Sequence, residues 1–229
     1  HGWPTDTRLC ARTIYNYVEP GVFLHVTKEN LPRKGRRPKR PYRRISKRIR
    51  SPEYKRIYER PEACEQRSEP GHWEMDCIES VRGDRTSLLT LVDRHTRDCL
   101  LLKIRRQSQE AVIRRLNGIE RRLGAPRFRA MFKSITVDNG SEFLNWKEME
   151  ASAINKGKRT EIYYANPYSS WERGSNENLN GFIRYFIPKG TKLKDIGSTE
   201  IKELERFINS YPREILGGLS ALEFSQATA

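Results

Sequence analysis

Gly71-His72-Trp73-Glu74-Met75-Asp76-Cys77-Ile78 reads as a β-strand that opens the globular part of the chain. It is bounded upstream by Pro70 and a stretch rich in proline and arginine, and it carries strand-forming residues without an internal breaker. Asp76 stands inside it among Met75, Cys77 and Ile78. A carboxylate in such surroundings is hard to justify by packing alone.

Working outward, Ser87-Leu88-Leu89-Thr90-Leu91-Val92-Asp93 and Cys99-Leu100-Leu101-Leu102-Lys103-Ile104 are the next two strands. Short turns around Gly83 and from Arg94 to Arg97 join them, so the three form an antiparallel meander. Ser108 then caps a helix running to about Arg122, with Ala111, Val112, Leu116 and Ile119 on its apolar side and Gly124-Ala125-Pro126 at its end. Ser134-Ile135-Thr136-Val137 is a fourth strand, closed by Asp138-Asn139-Gly140, a turn signal. Phe143 to Ile154 is expected to be helical, and Ile162-Tyr163-Tyr164 is a fifth strand. Asn166 to Ser170 leads into a helix capped by Ser175. In that helix Leu179, Phe182, Ile183 and Phe186 share one face, and Glu177, Asn180, Gly181 and Arg184 share the other. Trp171 is expected to anchor the approaching loop in the core, and Glu172 to lie before the cap in no fixed direction. A last helix runs from Ser198 to about Asn209, and the tail from Pro212 is expected to be peripheral.

The order β-β-β-α-β-α-β-α specifies an α/β fold: a mixed, ribonuclease H-like sheet with helices on both faces. In that topology the first and fourth strands are neighbours, and the late helix packs beside them. Asp76, Asp138 and Glu177 are then placed to converge. Converging carboxylates repel one another, more so when buried. Divalent cations resolve the conflict, and Mg²⁺ prefers hard oxygen ligands. Two such ions serve phosphoryl transfer. Taken singly, Asp138 also reads as a turn stabiliser, Asp76 in a strand is harder to explain structurally, and Glu177 alone does not decide between a structural and a functional role. Glu74, Glu79, Asp93, Glu142 and Glu172 are the other acidic candidates, with Glu142 close enough to Asp138 to support it.

Lys and Arg number 44 against 29 acidic residues, a net charge of +15, over 229 residues. This excess points to a polyanionic partner, with nucleic acid ahead of a membrane surface. No run is long and apolar enough to span a bilayer, and no signal peptide is recognisable. Cys10, Cys64, Cys77 and Cys99 form no C-x-x-C, and the histidines are not at zinc-ligand spacings, so neither a disulfide framework nor a zinc site is expected. Residues 31–69 form a Pro/Arg-rich linker in which Arg36, Arg37, Lys39, Arg40, Arg43 and Arg44 are candidates for phosphate contact. Residues 1–30 hold one helix, capped by Thr5 or Asp6, with Leu9, Ile14, Tyr17 and Val18 on its apolar side. It reads either as an ordinary packing helix or as the end of a helix-turn-helix. The remaining divisions are a catalytic core over 70–190 and a helical extension over 191–229. The chain opens on His1 and is expected to be a processed form or a piece of a longer protein.

Several of these stretches resemble one family. Gly71 to Asp76, Thr90-Leu91-Val92-Asp93-Arg94, Asp138-Asn139-Gly140-Ser141-Glu142-Phe143, Trp171 to Gly181, and Tyr185-Phe186-Ile187-Pro188-Lys189-Gly190 are similar to the DDE transposases of bacterial insertion sequences, the IS-thirty family in particular. The W-x-R-G-x-N-E-N-x-N-G stretch is the specific part. The resemblance covers roughly residues 8–225. It implies that Asp76, Asp138 and Glu177 are the catalytic, metal-binding triad. They would hold two Mg²⁺ ions, with Mn²⁺ able to substitute. It implies cleavage of double-stranded DNA at the terminal inverted repeats of an element, and transfer of that end into target DNA. Arg173, Asn176, Asn180, Arg184, Lys189 and Lys192 would contact or orient DNA. Thr7 to Val18 would be the end of a helix-turn-helix, leaving a partial remnant of that region. A homodimer or larger assembly on DNA, no membrane partner and a cytoplasmic, nucleoid-associated location follow from the same resemblance. Two other readings stay open: a DNA-binding protein without chemistry, and a ribonuclease H-like nuclease without strand transfer.

Overall fold

A computed structural model describes residues 10–18, 20–31, 53–167 and 169–227. The chain divides into two compact units, residues 1–49 and 50–229. The first contains helix α1 (Ala11–Val18), with Val18 buried and Ile14 and Tyr17 exposed, followed by a 3₁₀ turn at Lys28–Asn30. The Asn30 carboxamide oxygen accepts from the backbone N–H of Thr27 at 2.8 Å. Thr5, Asp6 and Leu9 lie outside the described residues, as do Arg36, Arg37, Lys39, Arg40, Arg43 and Arg44.

The second unit begins with a 3₁₀ turn at Ile57–Glu59 and a short helix α2 (Glu62–Gln66). Strand β1 (His72–Glu79) pairs antiparallel with β2 (Ser87–Asp93), and β2 with β3 (Cys99–Ile104). Helices α3 (Gln109–Leu123) and α4 (Ala125–Met131) lead to β4 (Ser134–Val137). Helix α5 (Trp146–Glu150), β5 (Glu161–Tyr164), α6 (Gly174–Phe186), α7 (Ser198–Ser210) and α8 (Ala221–Ala227) complete it. The sheet order is β3-β2-β1-β4-β5, with β4 parallel to both β1 and β5. This is the mixed sheet expected from the element order.

Alternation along β1 distributes its side chains between two cores. Trp73 and Met75 face one core, built with α3, α4 and α5 around Val112, Leu116, Phe128 and Phe143. Ile78 faces the other, built with α6 and α7 around Leu179, Ile183, Ile201 and Ile208. Leu179 and Ile183 are 1% and 0% exposed, and each contributes roughly 1.5–3 kcal/mol by leaving water. Helix α6 is thereby fixed over the face of β1 that carries Glu74 and Asp76.

Several local expectations are corrected. Gly124 does end α3, but Pro126 opens α4, because proline fits the first turn of a helix, where no backbone donor is needed. The helix expected from Phe143 to Ile154 is a 3₁₀ turn (Ser141–Phe143) and the short α5, which Asn145 caps by accepting from the N–H of Glu148. Helix α6 is entered through a 3₁₀ turn, Ser170–Arg173, and Ser175 lies inside it rather than capping it. The Ser175 hydroxyl accepts from Arg97 Nη1 at 2.6 Å instead. The tail is not peripheral throughout: Leu216, Ser220 and Ala221 are buried.

Candidate active site

Asp76 and Asp138 meet at the centre of the sheet. Glu74 of β1 pairs with Thr136 of β4 in parallel register, so two residues further along Asp138 comes opposite Asp76. The Arg173 guanidinium lies between them, with Nη1 3.5 Å from Asp76 Oδ2 and Nη2 3.6 Å from Asp138 Oδ2. Asp76 is held from two further sides: the Asn180 amide donates to its Oδ2 at 2.9 Å, and the Cys77 N–H donates to its Oδ1 at 2.8 Å. Burial pushes the Asp76 carboxyl up; the Arg173 charge opposes this and the Asp138 charge reinforces it.

Asp138 Oδ1 accepts from the Gly140 N–H at 2.7 Å. The chain bends here, but Gly140 has φ −59°, an ordinary value, so the glycine is not there for a left-handed backbone. Space explains the glycine. A Cβ there would sit 2.7 Å from Glu142 Oε2 and 2.8 Å from Asp138 Oδ1. Glu142 is buried and accepts from Gln107 Nε2 at 2.5 Å. Burial, then the charges of Glu142, Asp76 and Asp138, push the adjacent Cys77 thiol far up, which leaves it unreactive.

Glu177 lies in the first turn of α6 and is exposed. Asn180, three residues on, touches Asp76, and Arg184 donates to the Glu79 carbonyl at 2.8 Å. Residues three and four apart share a helix face, so Arg173, Glu177, Asn180 and Arg184 form one polar row along β1. Among the described residues no three His, Cys, Asp or Glu side chains stand close enough to grip one ion together. The two aspartates are joined, and Glu177 is on their row but not in contact.

The other expected site residues fall elsewhere. Asn176 is 1% exposed, with its N–H bonded to Glu74 Oε2 at 2.8 Å, so it does not face outward. Lys189 and Lys192 are exposed just past α6. Trp171 is 73% exposed and anchors nothing in the core. Glu172 is fixed rather than free: its carboxylate accepts from the Asn166 N–H and amide at 2.8 and 2.9 Å. Glu74, set aside in the sequence as one of the lesser acidic candidates, is fully buried, paired with Arg94 Nη1 at 2.5 Å, and ties β1 to the start of α6. Its signal was there: it faces the same side of β1 as Asp76, two residues away.

A donor set of hard carboxylate oxygens, a glycine cradle and a cation already seated between two aspartates suit divalent metal ions. Chemically, the fold and this site define the class of ribonuclease H-like α/β domains of the integrase-core type. Residues 66–170 match the family model described as "Integrase core domain". The chain is 38% identical over 223 residues to a protein of Streptococcus salivarius named as a probable transposase for insertion-like sequence element IS1161. That match takes in 95% of this chain and 58% of the relative. It is 31% identical to the transposase for insertion sequence element IS1086 of Cupriavidus metallidurans, with 95% of this chain and 62% of that one covered. It is 32% identical to the transposase InsI for element IS30C of Escherichia coli, with 70% and 39% covered. By fold it is similar to a chain of the simian T-cell lymphotropic virus intasome in complex with PP2A regulatory subunit B56 gamma, at a TM-score of 0.50 and 16% identity, covering 68% of this chain and 54% of that one. Over residues 66–170 the chain thus matches an integrase core, it is similar to bacterial insertion-sequence transposases, and it spans about three fifths of the length of the first two of these relatives.

Proposed function

We propose that this chain catalyses DNA strand cleavage at insertion-sequence ends and joins those ends to target DNA, using divalent metal ions. The observation that carries the reading is the Arg173 guanidinium held between Asp76 and Asp138. These two carboxylates are built to share a cation. Asp76, Asp138 and, from the same row, Glu177 would hold the metal. Two Mg²⁺ ions bound there would supply positive charge at the attacking and leaving oxygens of a phosphodiester. Asn180 orients the Asp76 carboxylate, and Thr90 braces Asn180 through its hydroxyl at 3.3 Å. Lys189 and Lys192 offer charge to the DNA backbone just past α6. Joining ends requires two of them in one complex, so the working form is a dimer or larger assembly on inverted-repeat DNA, in the cytoplasm with the nucleoid.

The test is strand cleavage and joining of inverted-repeat DNA with Mg²⁺ or Mn²⁺. Asp76→Asn, Asp138→Asn and Glu177→Gln are each expected to reduce the rate by at least about a thousandfold, the scale of losing a group that stabilises the transition state. Cleavage that persists in Glu177→Gln, while both aspartate variants are dead, would remove Glu177 from the assignment. DNA binding with no cleavage in the unaltered chain would leave only a binding protein. Cleavage without joining would leave a nuclease.

A further inference from the structure

A second cluster of charge lies where the integrase core meets the C-terminal extension. A cavity of about 270 Å³ is lined by Arg67, Arg94, His95 and Arg97 on one side and by Ile215, Leu216 and Phe224 on the other. Arg94 is neutralised. Its Nη1 pairs with Glu74 at 2.5 Å, its Nη2 lies 3.8 Å from Glu65, and its Nε donates to the Cys64 carbonyl at 3.0 Å. Arg67 and Arg97 have no such partners. Among the described residues, no carboxylate lies within ion-pair distance of either guanidinium, and the Arg67 guanidinium makes no hydrogen bond. Arg97 is 7% exposed; its Nη1 donates to the Ser175 hydroxyl at 2.6 Å, and its buried Nε has no acceptor.

A guanidinium withdrawn from water without a counter-charge is costly, and native folds seldom leave one so. Here Arg97 is buried and Arg67 half-buried on the same cavity, beside Arg94; they repel one another, and the nearby Glu74 charge, already paired with Arg94, offsets this only in part. Burial, then the charges of neighbouring arginines, hold Arg97 down to about 10. Both residues also sit in the left-handed region, at φ 54° for Arg67 and 64° for Arg97, which non-glycine residues rarely adopt. The Arg67 carbonyl is tied to His95 Nδ1 at 2.6 Å, and the His95 ring packs 5.3 Å from Phe224, so the cavity wall is braced rather than loose.

We propose that this cavity is a phosphate-binding site, distinct from the Asp76–Asp138 centre. Guanidinium forks match phosphate oxygens in pairs, and Arg67 and Arg97 have donors to spare. The apolar wall of Ile215, Leu216 and Phe224 suits a phosphate that carries an organic body. A phosphodiester of the DNA backbone is the source we assign, and that assignment rests on the DNA reading above; the pocket's chemistry does not. Arg97 holds Ser175, two residues before Glu177, so a backbone phosphate seated here would set DNA in register with the helix that carries the third carboxylate.

The experiment uses the full chain. Thermal unfolding is followed while inorganic phosphate is titrated against chloride at matched ionic strength. Phosphate is expected to raise the midpoint by several degrees, saturating in the millimolar range, and Arg67→Gln is expected to abolish the response. Arg97→Gln should do the same, with Arg97→Lys restoring part of it; Arg67 is the cleaner probe because its side chain bonds nothing in the fold. A response no larger than that to chloride, or one retained in full by Arg67→Gln, overturns the site. A second arm measures duplex DNA affinity against salt. If the source is the backbone, Arg67→Gln makes the log–log salt slope shallower by about 0.9, the share of one phosphate. If Arg67→Gln removes the phosphate response but leaves that slope unchanged, the pocket stands and takes a free phosphate or nucleotide, and the backbone assignment falls. If the unaltered chain does not bind DNA at all, the functional reading fails separately from the pocket.

Discussion

Arg173 occupies the position between Asp76 and Asp138 that a metal cation would claim. Its side chain is 13% exposed, against 22% and 38% for those of the two aspartates, so water screens the contacts only in part. Arg173→Gln leaves two carboxylates facing each other without a cation. We expect it to lower stability in chelator by about 1–2 kcal/mol, at the modest end for a partly exposed charge cluster. We also expect Ca²⁺ to raise the unfolding midpoint more in Arg173→Gln than in the unaltered chain, because the ion no longer competes with a built-in cation. A smaller Ca²⁺ shift in the variant would instead make Arg173 a residue that prepares the aspartates for metal. At this scale the sequence was informative about Asp76, whose charge breaks an apolar strand. It was silent about Arg173: nothing in the spacing of a Trp-x-Arg-Gly stretch tells a DNA contact from an intramolecular one. Asn176 was misplaced for a related reason. It lies at the very start of α6, and the buried Glu74 carboxylate, distant in sequence, draws its backbone N–H inward.

At the scale of elements, α6 is positioned by three independent ties to the sheet. Leu179 and Ile183 bury against the second core, Asn180 bonds Asp76, and Glu74 accepts from the N–H of Asn176 while paired with Arg94. Glu74 is 0% exposed and the Arg94 side chain 5%, so removing one partner leaves the other charge buried and unpaired. Glu74→Gln is therefore expected to cost about 3–5 kcal/mol in chemical denaturation, while Glu79→Gln, at an exposed position on the same strand, should cost under about 0.5 kcal/mol. Equal effects from the two would show that the Glu74–Arg94 pair does not anchor the helix. Strands were the most legible elements: β2, β3 and β4 have the bounds that their apolar runs and turn residues indicate, because each is short and apolar; β2 and β4 are buried throughout, and β3 lies at the sheet edge. Helices were less so. Gly124-Ala125-Pro126 carries a stop signal and a start signal in three residues, and only the stop was read. α6 was found by its apolar face, but its entry is a 3₁₀ turn set by Glu172 and Asn166, a contact that no local pattern encodes.

At the scale of the molecule, the division between arm and globular region falls earlier than composition indicates. The Pro/Arg-rich stretch was read as linker up to residue 69, yet its last part packs on the sheet. The Tyr54 ring stacks on Tyr164 with centroids 4.6 Å apart, and its hydroxyl donates to the Leu144 carbonyl at 3.0 Å. Arg56 bridges to the backbone of Tyr164, extending the sheet past β5. Ile57 and Cys64 are 5% and 1% exposed, and Arg60 donates to Thr136 of β4 at 3.2 Å. Composition hid this because four charged residues surround the few apolar ones from Glu53 to Glu59. Burial of Ile57 alone contributes roughly 1.5–3 kcal/mol, and Tyr54 and Cys64 add to it. Together they form a sizeable part of the 5–15 kcal/mol typical of a whole domain. A fragment spanning 53–229 is expected to unfold within a few degrees of the full chain. A fragment spanning 70–229, cut where composition changes, should lose at least about 4 kcal/mol, or roughly 10 °C for a domain of this size. Thermal unfolding of the two fragments side by side decides it. If 70–229 melts with 53–229, residues 53–69 rest on the sheet without stabilising it, and the boundary belongs where the arginines thin out.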